Sequence, residues 1–180
     1  MSRFPNRCVI DTNVPKIANL GVAPEKIPDD LVDCVDHCID VTLHFTRHRG
    51  LVLDSTMEIF NEYRRQLDLK GKPGVGDSFM KWVHDNMSNE QYIDQVMINK
   101  IDGTYVEYPN DADLVDCDPS DRKFIAVASA HPRKPPIYEA TDSKWWGWKE
   151  ALERVGVHVI FLCNKYIQEK YKKKIGVKKG

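Results

Sequence analysis

Two carboxylates, Asp11 and Asp142, end short apolar or β-prone runs, and two more, Glu58 and Asp121, stand in the first turns of helices that follow strand ends. Taken singly, each has an ordinary use, because Asp is a favoured helix N-cap. Gathered at one place they become costly, since carboxylates repel one another unless cations neutralise them. An all-oxygen ligand set selects hard ions, Mg²⁺ or Mn²⁺. The chemistry such a site supports is displacement at phosphorus, with one or two ions activating water and stabilising the leaving oxygen.

The elements that must position these acids can be read in order. Cys8-Val9-Ile10 suits a strand buried on both faces, and it delivers Asp11 to the strand's C-terminal end, where open α/β sheets bind ligands. Asn13 and Pro15 stop the extended run, and residues 14–28 read as irregular. Leu31, Val35, Cys38, Thr42 and Phe45 recur at helical spacing and predict a helix over residues 30–47. Residues 51–55 repeat the opening design, with Asp54 as a further acid at a strand end. Ser55 and Glu58 then form a capping box, so Glu58 by itself reads first as a cap. The Gly-rich stretch 70–77 lacks the Gly-Lys-Ser/Thr ending of a phosphate loop and reads as a flexible connection. Phe79, Met80, Val83 and Met87 predict a short helix.

Asp102-Gly103 is a hairpin signal between residues 96–101, expected as an added antiparallel strand, and an edge strand over 104–108. Asp118 as cap and Pro119 at the first helical position place Asp121 in the first turn of a helix reaching His131. Residues 137–142 form the next strand, ending in Asp142, with Ser143 as cap of a helix carrying Trp145 and Trp148 on its core face. Trp146 lies off that face and is the tryptophan expected at the surface. A last strand over 158–162 leads to a basic terminal helix capped by Asn164. This alternation predicts a mainly parallel sheet with helices on both faces.

The chain has 180 residues, 42% hydrophobic and 29% charged, which fits one soluble domain and excludes a largely disordered chain. Its net charge of −1 hides an asymmetry: residues 163–180 hold seven lysines against one acid, a net +6, leaving −7 elsewhere. A basic tail beside an acidic body fits a polyanion partner, although a solvated terminus fits equally well. The candidate phosphate contacts are Arg122, Lys123, Lys144, Lys172, Lys173 and Lys174, with Trp146 as a base-stacking surface. Five cysteines without a CxxC pair read as reduced core thiols of a cytoplasmic protein. Cys34, His37 and Cys38 share one helical turn, but no second ligand pair follows at zinc-site spacing. No apolar run approaches the ~20 residues of a membrane span.

At these residues the chain resembles the PIN-domain nucleases. Val9-Ile-Asp11-Thr-Asn13-Val is similar to that family's first motif, Glu58-Ile-Phe-Asn-Glu62 to its helix-borne glutamate, Asp118-Pro-Ser-Asp121-Arg-Lys-Phe to its third motif, and Ala140-Thr-Asp142 to its fourth. The resemblance implies a three-layer α/β/α sandwich with a five-stranded parallel sheet and an added hairpin near 96–108. A nuclease domain would cover 1–165, followed by a basic helix or tail over 166–180. It further implies a Mg²⁺- or Mn²⁺-dependent endoribonuclease with Asp11, Glu58, Asp121 and Asp142 as metal ligands, Asn13 orienting, and Asp118 and Asp54 as second-tier acids. RNA is then favoured over DNA, with an inhibitor protein or a second copy as further partners. Two alternatives remain: a PIN-like module that binds RNA or protein without cutting, and a haloacid-dehalogenase-type phosphatase, against which Asn13 stands because an amide is no general acid.

Overall fold

Cys8, Val9 and Ile10 are each fully shielded from solvent, which is why this run is continuously apolar. The computed structural model describes residues 4–178, with side chains through 175. Its elements are β1 (Val9–Ile10), α1 (Asn13–Ala18), α2 (Val32–Arg47), β2 (Leu51–Asp54), α3 (Glu58–Gln66), α4 (Val75–Asn86), β3 (Ile93–Val96), β4 (Lys100–Ile101), β5 (Thr104–Tyr105), α5 (Arg122–Ala130), β6 (Ile137–Glu139), α6 (Ser143–Arg154), β7 (Val159–Phe161) and α7 (Asn164–Lys178).

The architecture is mixed α/β. Strands β1, β6 and β7 form a three-stranded parallel sheet, with Val9 opposite Ile137 and Tyr138 opposite Ile160. Strands β2 and β3 form a separate parallel pair, and β4 and β5 an antiparallel hairpin. A single parallel bridge between Cys8 and Leu51 links the first two units, with Cys8 N–H donating to Gly50 O at 2.9 Å and Val52 N–H to Cys8 O at 2.8 Å. Helix α5 lies against β1, β2 and β6, and Phe45 of α2 meets the Tyr138 ring at 6.2 Å. Tyr63 of α3 donates its hydroxyl to Ile10 O at 2.5 Å, fixing α3 against the strand end that carries Asp11. Among the described residues no helix is long and apolar enough to cross a membrane.

Several expectations are corrected. Residues 13–18 are helical rather than irregular; Pro15 sits in the first turn, where a missing N–H costs nothing. Ser55 does not cap α3. Asp54 does, accepting Glu58 N–H at 2.7 Å and Ile59 N–H at 2.9 Å, while Met57 adopts a left-handed φ of 69°. The strand expected over 96–101 is displaced: residues 93–96 pair in parallel with β2, and the hairpin contains only two residues on each side of its turn. Helix α5 begins at Arg122, so Asp118 caps a preceding turn through Ser120 N–H (3.0 Å) instead of the helix itself. Strand β6 stops at Glu139, and Asp142, not Ser143, caps α6 by accepting Lys144 N–H at 3.0 Å. The Gly-rich connection is anchored by Asp77, which accepts N–H groups of Gly74 (2.9 Å) and Asp68 (3.0 Å). The cysteines are not all thiols, because Cys34 and Cys163, 129 residues apart, form a disulfide, leaving Cys8, Cys38 and Cys117 free and buried.

Gly50 shows how tightly the β2 entry is built. Its φ is +119°, and a Cβ there would lie 2.0 Å from the Asn6 carbonyl oxygen. Gly50→Ala is therefore expected to destabilise the fold by about 2 kcal/mol or more, read as a lower denaturant midpoint with an unchanged slope.

Candidate metal centre

Asp11 is the first residue past β1 and is 2% exposed. The strand places it, since its N–H donates to Tyr138 O at 3.0 Å, and Asn13 N–H donates to its Oδ1 at 2.8 Å. Asn13 thus orients Asp11 through its backbone. Burial pushes the Asp11 carboxyl up to about 6 against hydrogen bonds that pull it down, with the charges of Glu62 and Asp142 adding to the rise.

The neighbouring strand contributes an acid that the sequence reading passed over. Glu139 ends β6, is fully buried, and accepts Asp142 N–H at 2.9 Å through Oε1. Its Oε2 receives no protein donor. Burial first, and then the Asp11 charge, raise its carboxyl well above the usual carboxylate range. The available signal was a glutamate inside an apolar strand, a residue type almost never fully buried without a reason.

Asp121 precedes α5 and is 8% exposed. Its buried Oδ2 has no hydrogen-bond partner, and burial followed by the Asp11 charge lifts it to about 7. Asp142 is half-buried at the start of α6. Between these acids stands Lys144. Its Nζ lies 2.6 Å from Asp118, 3.4 Å from Asp142 and 3.7 Å from Asp121. Burial works against that ammonium, but the Asp118 hydrogen bond and the surrounding carboxylates outweigh it and raise its pKa. The same contact holds Asp118 at about 2.

On α3 the structure distinguishes two glutamates one turn apart. Glu58 faces the hairpin, within 3.4 Å of both Lys100 Nζ and the Tyr105 hydroxyl. Glu62 faces Asp11 instead: Thr12 Oγ1 donates to it at 2.6 Å, and the buried Lys123 ion-pairs with its other oxygen. The acids gathered around Asp11 are therefore Glu62, Asp121, Glu139 and Asp142, whereas Glu58 stands apart from them. Asp54 is occupied as the α3 cap.

The expected phosphate contacts divide. Arg122 is committed to the carbonyls of Cys117 (3.0 Å) and Val115 (2.7 Å), and the buried Lys123 to Glu62 and Ser120 O. Trp146 is half-buried, edge-on to Phe161 at 5.1 Å, with Lys149 Nζ 4.4 Å from its ring centroid. Lys172, Lys173 and Lys174 are exposed on α7, and Lys173 and Lys174 line a groove of about 780 Å³ between α6 and α7, together with Lys144, Trp148, Lys170 and Tyr171. Lys178 and Lys179 of the basic tail have side chains outside the described residues.

Carboxylates are the ligand type hard divalent cations prefer, although among the described residues the group whose ligand atoms already converge as a metal ion requires is Cys34, Cys38 and Cys163, not these acids. The acid set is all carboxylate, and two buried oxygens, Asp121 Oδ2 and Glu139 Oε2, lack a protein hydrogen-bond partner. Comparison with models of known families, with curated proteins and with solved structures finds no match to this chain.

Proposed function

We propose that the chain is a PIN-like, metal-dependent endoribonuclease that cuts single-stranded RNA. The observation that carries this reading is the pairing of buried, under-satisfied carboxylates with the C-terminal ends of two adjacent parallel strands. Asp11 stands just past β1 and Glu139 ends β6, and Asp121 stands close enough for its pKa to register the Asp11 charge. The Cys8–Leu51 bridge sets β2 beside β1, which supports reading the pair β2-β3 and the sheet β1-β6-β7 as one five-stranded parallel sheet of a PIN-like sandwich.

Asp11, Asp121 and Asp142 would hold Mg²⁺ or Mn²⁺, with Glu62 in the helix-borne position first assigned to Glu58. Such an ion supplies a nucleophilic water near neutral pH and charge for the leaving oxygen. Around it, Asn13 N–H fixes Asp11 Oδ1, while Thr12 and Lys123 hold Glu62. Lys144, 40% exposed, lies where it can exchange a carboxylate for a substrate phosphate. The adjoining groove offers Trp148 and Tyr171 to unpaired bases and Lys170, Lys173 and Lys174 to the backbone.

With Mn²⁺, purified protein is expected to cleave end-labelled single-stranded RNA, to stop on chelation, and to leave ends free of 2′,3′-cyclic phosphate, because water and not the 2′-hydroxyl attacks. Cyclic ends, or cleavage indifferent to chelator, would contradict the proposal. The triple substitution Lys170→Ala, Lys173→Ala and Lys174→Ala is expected to weaken RNA binding and reduce the log–log salt slope by about 2, at roughly 0.7 per phosphate contact. An unchanged slope returns these lysines to solvation.

One observation favours the non-cutting module as a second reading. Lys144 already supplies positive charge to Asp118, Asp121 and Asp142, which gives a non-catalytic scaffold a way to tolerate them. RNA binding without Mn²⁺ binding or cleavage would establish that reading.

A further inference from the structure

A second cluster of ligand-type side chains forms where the C-terminal segment meets α2, within reach of the Glu139 charge. Cys34 and Cys38 lie one turn apart on α2, and Cys163 follows β7 at the threshold of α7. The three sulfur atoms lie within 4.8 Å of one another, and all three residues are buried. In this structure Cys34 and Cys163 are disulfide-bonded, and Cys38 remains a thiol beside them. A structural disulfide needs two sulfurs, and the third has no part in it. Three converging thiols are what a tetrahedral thiophilic ion needs, because Zn–S bonds of ~2.3 Å place tetrahedral sulfurs roughly 3.8 Å apart.

Two further features of the corner favour a cation. A cavity of about 350 Å³ reaches Cys34 and Cys163, and four carboxylates, Asp29, Asp30, Asp33 and Glu169, line it against Lys165. His37 also lines it, with Nδ1 3.2 Å from Leu162 O. Donation to that carbonyl leaves the Nε2 lone pair free, the arrangement typical of a ligating histidine.

We propose that Cys34, Cys38 and Cys163 form a zinc site, and that the Cys34–Cys163 disulfide is its oxidised, metal-free alternative. The fourth position is left to a water or other added ligand on the cavity side. Interconversion balances with a small-molecule thiol as co-reactant: two thiols become one disulfide, two electrons and two protons pass to Cys34 and Cys163, and zinc then displaces the protons of the three cysteines. The site joins α2 to the start of α7, the helix that carries the groove lysines, and it is independent of the nuclease proposal.

The test uses the full chain purified with a thiol reductant and loaded with Co²⁺, whose thiolate charge-transfer and tetrahedral d–d bands report sulfur ligands and ignore ions on carboxylates. One equivalent of Co²⁺ with those bands is expected, displaced by Zn²⁺ and lost after oxidation as two thiols disappear. Cys38→Ser is expected to lose the bands while keeping its circular dichroism, and Cys117→Ser to retain them. A reduced chain with three reactive thiols at these positions and no thiolate bands, or bands that survive in Cys38→Ser, would overturn the proposal. RNA cleavage is not read in this experiment, so failure here leaves the acid site's assignment standing.

Discussion

Asp11→Asn is expected to lower RNA cleavage in Mn²⁺ by at least about 100-fold while the chain stays folded. The loss follows from removing a charged oxygen from the centre of the acid cluster, where one preorganised charge-stabilising group is worth roughly 100- to 1,000-fold in rate. The fold is expected to survive because an amide keeps the Oδ1 acceptor for Asn13 N–H, and the strand contact from the residue 11 N–H to Tyr138 O is a backbone bond. The substitution also removes a buried charge facing Glu62 and Asp142, so the metal-free melting temperature should hold or rise at pH 7. Initial rates on labelled RNA and a thermal melt check both parts. Wild-type activity in the variant would show that the carboxylate cluster is not the cutting site.

The second large effect is a dependence of metal-free stability on pH that runs opposite to ordinary acid denaturation. Asp11 and Asp121 titrate at about 6 and about 7 in the folded chain, both raised above the values of exposed carboxyls. Between pH 4 and 7 the folded state therefore binds more protons than the unfolded state. The stability contributed by these groups is complete below about pH 4 and is lost as the pH rises through 6 and 7. At about 1.4 kcal/mol per pH unit, Asp121 alone accounts for a decline on the order of 3–4 kcal/mol. Asp118, held at about 2 by Lys144, acts in the opposite direction, but its contribution is complete before this window opens. His44, lowered by burial and by His48, opposes the trend within the window but is one weakly buried group against two carboxyls. Saturating Mn²⁺ should restore what is lost, by about 2.7 kcal/mol at a hundredfold excess over its Kd. Asp121→Asn should flatten both the pH trend and the Mn²⁺ response. Melts from pH 4 to 8 with and without Mn²⁺ check this, and a metal-free stability that climbs from pH 4 to 7 would contradict the burial argument.

How much of this was legible in the sequence depended on how local each feature is. Asp11 was readable because an apolar run ending in an acid announces both the strand and its exit. Asp121 was readable as an acid near a helix start, although the helix begins later than Pro119 suggested, because Asp118 spends its side chain on Ser120. Glu58 reads locally as a capping-box residue and enters the site only through the family resemblance; in the structure Asp54 occupies both N–H groups at the start of α3, and the glutamate that faces Asp11 is Glu62. Both glutamates stand on the same helix one turn apart, and only the docking of α3 through Tyr63 onto Ile10 O separates their surroundings. Glu139 was hidden because the strand was carried on to Asp142, making the true strand-end acid look like an interior residue.

Long-range features were the least legible. Parallel pairing of residues 93–96 with β2, the approach of Cys163 to α2, and the placement of Lys144 among three acids all depend on chain reversals with no signature in local spacing. Lys144 matters most, because it changes an inference. Crowded carboxylates alone argue for a metal, whereas crowded carboxylates with a resident ammonium argue for a cation of some kind.

The measurement that separates these is Mn²⁺ binding by calorimetry at pH 7 and physiological salt, using wild type beside Asp11→Asn. The account predicts saturable binding of one or two ions per chain in the wild type, abolished or weakened at least tenfold in the variant. Absence of binding, or equal binding by the two proteins, would contradict it.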